Sequence, residues 1–562
     1  MKNVFLLLIM ALFAASAGAQ KLHLEAFGIN AHEKKAIDSI GYNKVHTNAK
    51  SVVDEANLLF DNLKKSGYLE TEILENTKSN DSTFRFVYSL GKRTKSIRIY
   101  IGRNPEVKSL AFPAEKRDTV VVALTETEAF MNHALNLLER KGYSLASLKL
   151  SNITPRDGIL YAELESETGK QRQVNDIVIS GYDKFPEGHK KQVKRLYRNK
   201  TFNQENLNKI YSDFGKFRFV TQTKYPEILF TEDTTKVYVY LEKAQANRFD
   251  GFIGFSNDEE NGNSKLRLNG YVDLLLTNIL NSGEELSIFW KSDGKEQKTF
   301  NAGITLPYIF KSPFGLKASL NIFRQDSTFQ NTRTNIELGY FFNYNTRVYL
   351  GYQATESSDI QNSENASISD FKNSFLTSTL EFTDFKPDDF LFPEKTRLVV
   401  RGGMGSRESK TDKNPQFFGE LNLMHNIYLN DKNSVSLRSQ DFYLSSDTYI
   451  ISELYRFGGI NSIRGFNENS LQASMLTSLM TEYRYAFAPG LYIHSIIDYG
   501  YYRDESRANA TGARGDLLGL GFGFGLLTKT GLFNLVYANG TSNGQQIKLS
   551  NSIVHISFRA NF

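Results

Sequence analysis

VHISFRANF, residues 554–562, alternates without a break. Val554, Ile556, Phe558, Ala560 and Phe562 share one parity, and His555, Ser557, Arg559 and Asn561 share the other. Successive side chains of a strand point to opposite faces, so the segment reads as a strand with one apolar and one polar face. SLMTEYRYAF (478–487) repeats the pattern, with Glu482 and Arg484 on one parity and Tyr483, Tyr485 and Phe487 on the other. In GLGFGFGL (519–526), Leu520, Phe522, Phe524 and Leu526 alternate with four glycines. Those glycines do not make a nucleotide loop, because no G-x-G-x-x-G turn opens a helix there. They line a wall and leave space against it. From about Arg248 onward the chain is strands and turns. Its connections are polar, as in NDEENGNSK (257–265) and RDESRANATGARGD (503–516).

The chain has 42 Phe and 29 Tyr against 11 Pro and one Trp. Beyond the N-terminus it lacks the roughly 18 consecutive apolar residues of a membrane helix. Lipid solvates no free peptide group, so only helices and closed barrels span it. Polar lumen residues dilute the hydropathy of barrel strands. At about 20 residues per strand and connection, residues 247–562 have room for about 16 strands. The expected fold is therefore a membrane β-barrel of about 16 antiparallel strands, with the apolar parity toward lipid.

The N-terminus sets the compartment. Lys2, the apolar run Val4–Ala15 and the small residues Ala17, Gly18 and Ala19 read as a cleavable secretory signal, residues 1–19. With no cysteine in the chain, disulfide, zinc-thiolate and lipid-anchor readings fall away. A formal charge of +5 on 562 residues is too balanced to imply a nucleic-acid partner.

The region before the barrel repeats. LLFDNLKKSGYLETEI (58–73) resembles LNLLERKGYSLASLKL (135–150), each an amphipathic helix, a Gly-Tyr pair and a strand. A Gly just past a helix supplies the left-handed cap. A third copy is expected around 206–225, without the Gly-Tyr pair. FRFVYSL (84–90), GILYAEL (158–164) and KVYVYLE (236–242) close the three units, and NDIVISGYDKFP (175–186) opens the third. The strand after each helix pair argues against a helical array. Three small α+β modules are expected at 20–102, 103–173 and 174–246, each strand-helix-helix-strand-strand. Their outer strands would offer unpaired edges to another strand.

RFGGINSIRGF (456–466) lies inside the strand-rich half. With the terminal Phe562, it resembles the BamA/TamA superfamily of outer-membrane barrels. In that family a long loop bearing a hydrophobic-Arg-Gly-aromatic tetrad folds into the lumen. The tetrad here is Ile463, Arg464, Gly465 and Phe466. SIIDYGYY (495–502) resembles the family's hydrophobic-x-Asp-x-Gly motif at Asp498 and Gly500, with Ile496 where Phe is usual. The resemblance implies that Arg464 meets Asp498 and Glu482 on the inner wall. A guanidinium has five fixed donors, and two carboxylates can accept them in pairs. It also implies that the three modules are POTRA domains and that Phe558 and Phe562 belong to a C-terminal barrel signal. TLPYIFKSPFGL (305–316) and SELYRFGG (452–459) follow the same pattern.

What the resemblance implies about function is assembly, insertion or translocation of other outer-membrane or surface proteins, TamA-like in size. The outer membrane would be the location, with the modules in the periplasm. Partners would be the lipid bilayer, unfolded protein clients, and an accessory protein of the periplasm or inner membrane. Alternatives are a dedicated exporter of one secreted partner, for which two modules and a plug helix are usual, and a non-selective pore with scaffold modules. No catalytic residue, cofactor or metal is expected. Reading Asp498 and Glu482 as a glycosidase pair fails because an adjacent Arg leaves no general acid.

Overall fold

The computed structural model describes residues 21–561 except 157, 261–262, 293–296, 326–327, 361–368, 387–388, 390, 411, 508–513, 529–530 and 547–551. Residues 252–260, 263–269, 555–557 and 559–561 are described by backbone alone. The signal segment 1–19 and Phe562 lie outside the described residues. The first two modules with residues 200–206 make one compact unit, and the rest of the third module with the barrel makes the other.

The first module comprises β1 (Leu22–Gly28), α1 (Ala31–Ile40), β2 (Val45–His46), α2 (Ala49–Lys65), β3 (Glu72–Asn80) and β4 (Thr83–Ser89), in sheet order β2-β1-β4-β3. The second comprises β5 (Ser96–Tyr100), α3 (Pro105–Ala111), β6 (Thr119–Ala123), α4 (Thr127–Arg140), β7 (Ser147–Arg156) and β8 (Ile159–Glu167), ordered β6-β5-β8-β7. The third comprises β9 (Asp176–Ser180), α5 (Glu187–Tyr197), α6 (Gln204–Gly215), β10 (Val220–Phe230) and β11 (Thr235–Lys243), ordered β10-β11-β9.

Two details differ from the expected modules. β5 pairs with β6 and β8, so it opens the second sheet, and a boundary at 102 falls after it. The sequence of a lone strand does not say which sheet it joins. The short strands β2 and β6 also separate the helices, where two helices in succession were expected.

The repeated Gly-Tyr pairs act alike in the two modules. Gly67 (φ +103°) and Gly142 (φ +96°) are left-handed residues past α2 and α4. Tyr68 and Tyr143 donate their backbone N–H to Leu63 and Leu138, each at 3.1 Å. This closes orphan carbonyls of the last turn. At Gly67 a Cβ would also stand 2.2 Å from the Thr94 carbonyl oxygen, so the turn requires glycine on two counts.

The barrel strands are β12 (Arg248–Glu260), β13 (Asn263–Thr277), β14 (Glu285–Ser292), β15 (Gln297–Leu306), β16 (Phe314–Gln325), β17 (Phe329–Phe341), β18 (Thr346–Asp359), β19 (Phe371–Phe385) and β20 (Glu394–Ser409). They continue with β21 (Lys413–Tyr428) and β22 (Asn433–Ser445). A small hairpin, β23 (Tyr455–Phe457) with β24 (Leu471–Ala473), interrupts the order. Then come β25 (Met475–Ala488), β26 (Leu491–Arg503), β27 (Arg514–Leu527), β28 (Gly531–Ser542) and β29 (Ile553–Asn561). All except β23 and β24 form one closed antiparallel barrel of 16 strands, β29 returning to β12.

Burial in the barrel is inverted relative to a soluble protein. Ile336 and Leu338 on β17 are 57% and 52% exposed while Glu337 between them is 5% exposed. Leu376, Met404, Phe522 and Val554 also face outward. Outward apolar and inward polar side chains are the pattern of a wall with lipid outside and water inside.

The third module docks on three turns at one end of the barrel. His189 of α5 is fully buried, with ring centroids 4.8 Å from Tyr308 and 5.4 Å from Tyr344, on the β15–β16 and β17–β18 turns. Phe217 and Phe219 close the cage from the module side. Gly283, on the β13–β14 turn, lies so close that a Cβ there would meet the imidazole. Gln192 donates to the Lys311 carbonyl at 2.9 Å, and Asn278 donates to the Tyr182 hydroxyl at 3.0 Å. Among the described residues neither His189 ring nitrogen has a hydrogen-bond partner. Burial, reinforced by the charge of Arg347, pushes this imidazole down to about 3.

Two outcomes follow. Leu376→Arg places a charge on the outward face of β19 and should lower the folding free energy in vesicles by ~2–4 kcal/mol, read by urea titration. An unchanged midpoint would contradict the lipid face. For His189, a depressed folded value means the exposed ring takes up a proton, near 6.5, before the docked ring does. The contribution of the dock is therefore present above about pH 6.5 and is lost as pH falls toward 3. His189→Phe should flatten that part of the stability-versus-pH curve.

Candidate functional site

The loop between β22 and β25, residues 446–474, turns into the barrel. Its tip carries the tetrad. Arg464 is 2% exposed and Asp498 of β26 is fully buried. The Arg464 guanidinium donates through Nε to Asp498 Oδ2 at 2.8 Å and through Nη2 to Oδ1 at 2.5 Å. Its backbone N–H adds a third bond to Oδ2 at 2.9 Å. Nη1 donates to Glu482 Oε1 on β25. Glu482 Oε2 in turn accepts from Arg484 Nε at 2.8 Å, and Arg438 Nη2 lies 3.9 Å from Oε1. Three guanidiniums thus surround two carboxylates. Such a set offsets the desolvation of its charges only because each polar group finds a partner.

The apolar and glycine positions explain how the tip gets so close to the wall. Ile463 is fully buried in a cluster with Phe457, Ala473, Leu476 and Leu517. A Cβ at Gly500 would stand 2.3 Å from Ile463 Cδ1, so the Asp-x-Gly spacing leaves room for the isoleucine. Gly465 has φ +87°, and a Cβ there would stand 2.3 Å from Asn539 and Gly540 backbone atoms of β28. Phe466 packs at the edge of the same cluster. The glycine row of β27 serves mixed purposes. Gly519 accommodates the Arg464 carbonyl, while Gly523 and Gly525 make room for the His494 and Tyr492 rings of β26. Of the four glycines expected to leave space against the wall, Gly519 alone leaves it to the loop.

The structure therefore brings together Ile463, Arg464, Gly465, Phe466, Glu482, Asp498 and Gly500. Phe558 is apart from them, on the outward face of β29. Missed by the sequence reading were the shared use of Glu482 by Arg484 and the proximity of Arg438. Both residues have lumen parity in their strands, and that was the available signal. A polar cleft of about 840 Å³ opens beside the tip, lined by Gly465, Phe466, Asn467, Gly540, Thr541 and Ser552 among others.

These features define a class: a 16-strand membrane barrel with N-terminal α+β modules resembling POTRA domains and a loop pinned inside. Residues 278–553 match the Omp85 superfamily domain. The barrel belongs to that superfamily. Among solved structures, CdiB from Escherichia coli overlaps with 15% identity and a TM-score of 0.51, over 90% of this chain and 97% of that one. CdiB from Acinetobacter baumannii overlaps with 16% identity and a TM-score of 0.50, over 84% and 90%. BamA from Haemophilus ducreyi lacking POTRA domains 1–3 gives 14% identity and a TM-score of 0.47, over 82% and 97%. The CdiB overlaps speak to the fold alone. No curated protein matches the sequence of the chain.

Arg464→Ala leaves two buried carboxylates without their shared donor and should weaken seating of the tip by ~3–5 kcal/mol. Asp498→Asn should act in the same direction. The double variant should be little worse than the stronger single one, since contacting residues are non-additive. Protease accessibility of the loop in intact barrels measures this, and strictly additive effects would count against the shared contact.

Proposed function

We propose that this protein is an assembly or translocation factor of the outer membrane. Its modules face the periplasm and receive unfolded outer-membrane or surface proteins, and its barrel passes or inserts them through the β12–β29 seam. The observation carrying this reading is the seam. Among the described residues β12 and β29 pair at only three positions, Arg248 with Asn561, Phe249 with Ala560 and Asp250 with Arg559. Every other pair of neighbours in the barrel is joined at eight positions or more, as in β28 with β29. All three pairs lie at the end where the third module docks, and among the described residues no strand pairing joins β12 to β29 toward the other end. An unpaired edge is a template for another strand, and β-addition is a known mode of peptide capture.

The start of β12 is held to β13 by side chains as well as by strand pairing. Arg248 contacts Asp273 at 3.1 Å, and Tyr271 donates to Asp250 at 2.5 Å. The seam can therefore part while β12 stays in the wall. The inward loop, pinned by Arg464, supports the inner wall at β25–β28 beside the seam. Three modules rather than two favour client assembly over dedicated export of one partner. Phe558, outward on β29, fits a C-terminal barrel signal by which this chain would itself be assembled. A plain pore would need no weak seam. The proposed mechanism uses no catalytic residue or cofactor.

The test is to lock the seam. Directly opposed residues of antiparallel strands have Cα atoms about 4.5–5.5 Å apart, within disulfide range, and the native chain has no cysteine. Phe249→Cys with Ala560→Cys should crosslink on oxidation. The locked barrel should stop supporting client insertion in outer membranes, and reduction should restore it. Full activity of a verified locked barrel would reject the gate in favour of a pore.

A further inference from the structure

A second buried ion pair holds the same loop 11 residues before the tetrad arginine, and nothing in the tetrad requires it. Arg407 of β20 and Glu453 of the loop have side chains 2% and 1% exposed. Arg407 Nη1 donates to Glu453 Oε1 at 2.5 Å and to the Thr448 carbonyl at 2.9 Å, and Nη2 donates to Thr448 Oγ1 at 2.6 Å. Glu453 Oε2 accepts from Gln416 of β21 at 2.8 Å, and Oε1 accepts the Ile450 N–H at 2.9 Å. Asn414 donates to Thr448 Oγ1 at 2.6 Å, and Asn331 of β17 donates to the Ser452 carbonyl at 2.5 Å. The stem of the loop is thus bonded to β17, β20 and β21, whereas the tip is bonded to β25 and β26, and through Ser462 to Gln440 of β22, and is packed on β27 and β28.

We infer that Arg407 and Glu453 are positioning residues that form an independent stem anchor, so that the tip can disengage from Asp498 and Glu482 while the loop stays in the barrel. The loop is then a hinged arm with two separable attachments rather than a lid with one catch. The physical basis is the separation of the Arg407–Glu453 set from the Arg464–Asp498–Glu482 set, which share no donor or acceptor; Gln440 of β22, which donates to Tyr455 and accepts from Ser462, touches both halves through neutral hydrogen bonds alone. Sites without shared partners respond independently, and segments of a folded protein open locally at different free energies. The inference rests on the proposed role of the loop only in supposing that the tip moves during the working cycle.

Two buried serines report on the two ends: Ser452 beside Glu453 and Ser462 near the tip, 2% and 5% exposed. Ser452→Cys and Ser462→Cys are nearly isosteric, and each is the sole thiol in the full-length protein. Maleimide labelling is measured on barrels in vesicles, with heat-dependent gel mobility verifying the folded state. Arg464→Gln should speed labelling at Cys in position 462 about tenfold or more and leave position 452 within about twofold. Arg407→Gln should do the reverse, and Arg407→Lys, which keeps the charge, should recover part of the protection. If Arg407→Gln does not assemble, Glu453→Gln is read in the same way. Acceleration of both thiols together in Arg464→Gln would reduce the loop to a single catch and overturn the inference. So would an unchanged rate at position 452 on loss of the Arg407–Glu453 pair. Because no client enters the assay, failure of the assembly reading leaves this result standing. A clean split with unimpaired client insertion would instead reject the role of the loop in assembly.

Discussion

A chain in hydrocarbon must satisfy every one of its peptide groups from within, and this protein does so by closing a sheet on itself. The rest of the architecture follows from that closure and from where it is weakest. Sixteen strands make a barrel too wide for side chains alone to fill, so the lumen receives a folded loop. The wall reverses the usual placement of residues, with Leu376 and Phe522 outward and Glu337 and Asp498 inward. The closure is nominal at one place, between β12 and β29, where three residue pairs complete the circle.

The loop is held by charge rather than by apolar packing alone. Ion pairs out of bulk water stabilise little unless their geometry is complete. Here completeness is visible: four donors of Arg464, one of them backbone, are directed at Asp498 and Glu482. Arginine suits the position because its planar fork reaches two carboxylates at once, which a lysine cannot do. The apolar part of the tip specifies depth. Ile463 enters only because residue 500 is glycine, and the backbone at Gly465 approaches β28 only because neither Gly465 nor Gly540 has a side chain.

The third module is attached differently. An unpaired imidazole inside an aromatic cage binds by shape and requires neutrality, so the dock on the β13–β14, β15–β16 and β17–β18 turns is sensitive to acid. The turn at Tyr308, Phe310 and Lys311 takes positive φ at each of these non-glycine residues, a conformation held by what packs on it. Tyr308 is buried against His189, whereas Phe310 is almost fully exposed.

Much of this was legible in the sequence because strand parity is local. The two faces of SLMTEYRYAF and GLGFGFGL, the helix-ending Gly-Tyr pairs and the closing strands of the modules depend on residues a few positions apart. The tetrad and the Asp-x-Gly motif named the right side chains because their resemblance to a family stood in for missing spatial information. Three things stayed out of reach. Parity marks Arg407 as a lumen residue but cannot reveal that its partner is Glu453, 46 positions on. The repeats show three modules but not that SIRIY pairs into the second sheet. Alternation requires a closed barrel but does not give the register at which β12 meets β29. The sequence by itself determined which way each side chain faces, since that follows from the period of the backbone. Only the tertiary structure decided which inward charges meet and how firmly the circle is closed, because both depend on registers summed around sixteen strands.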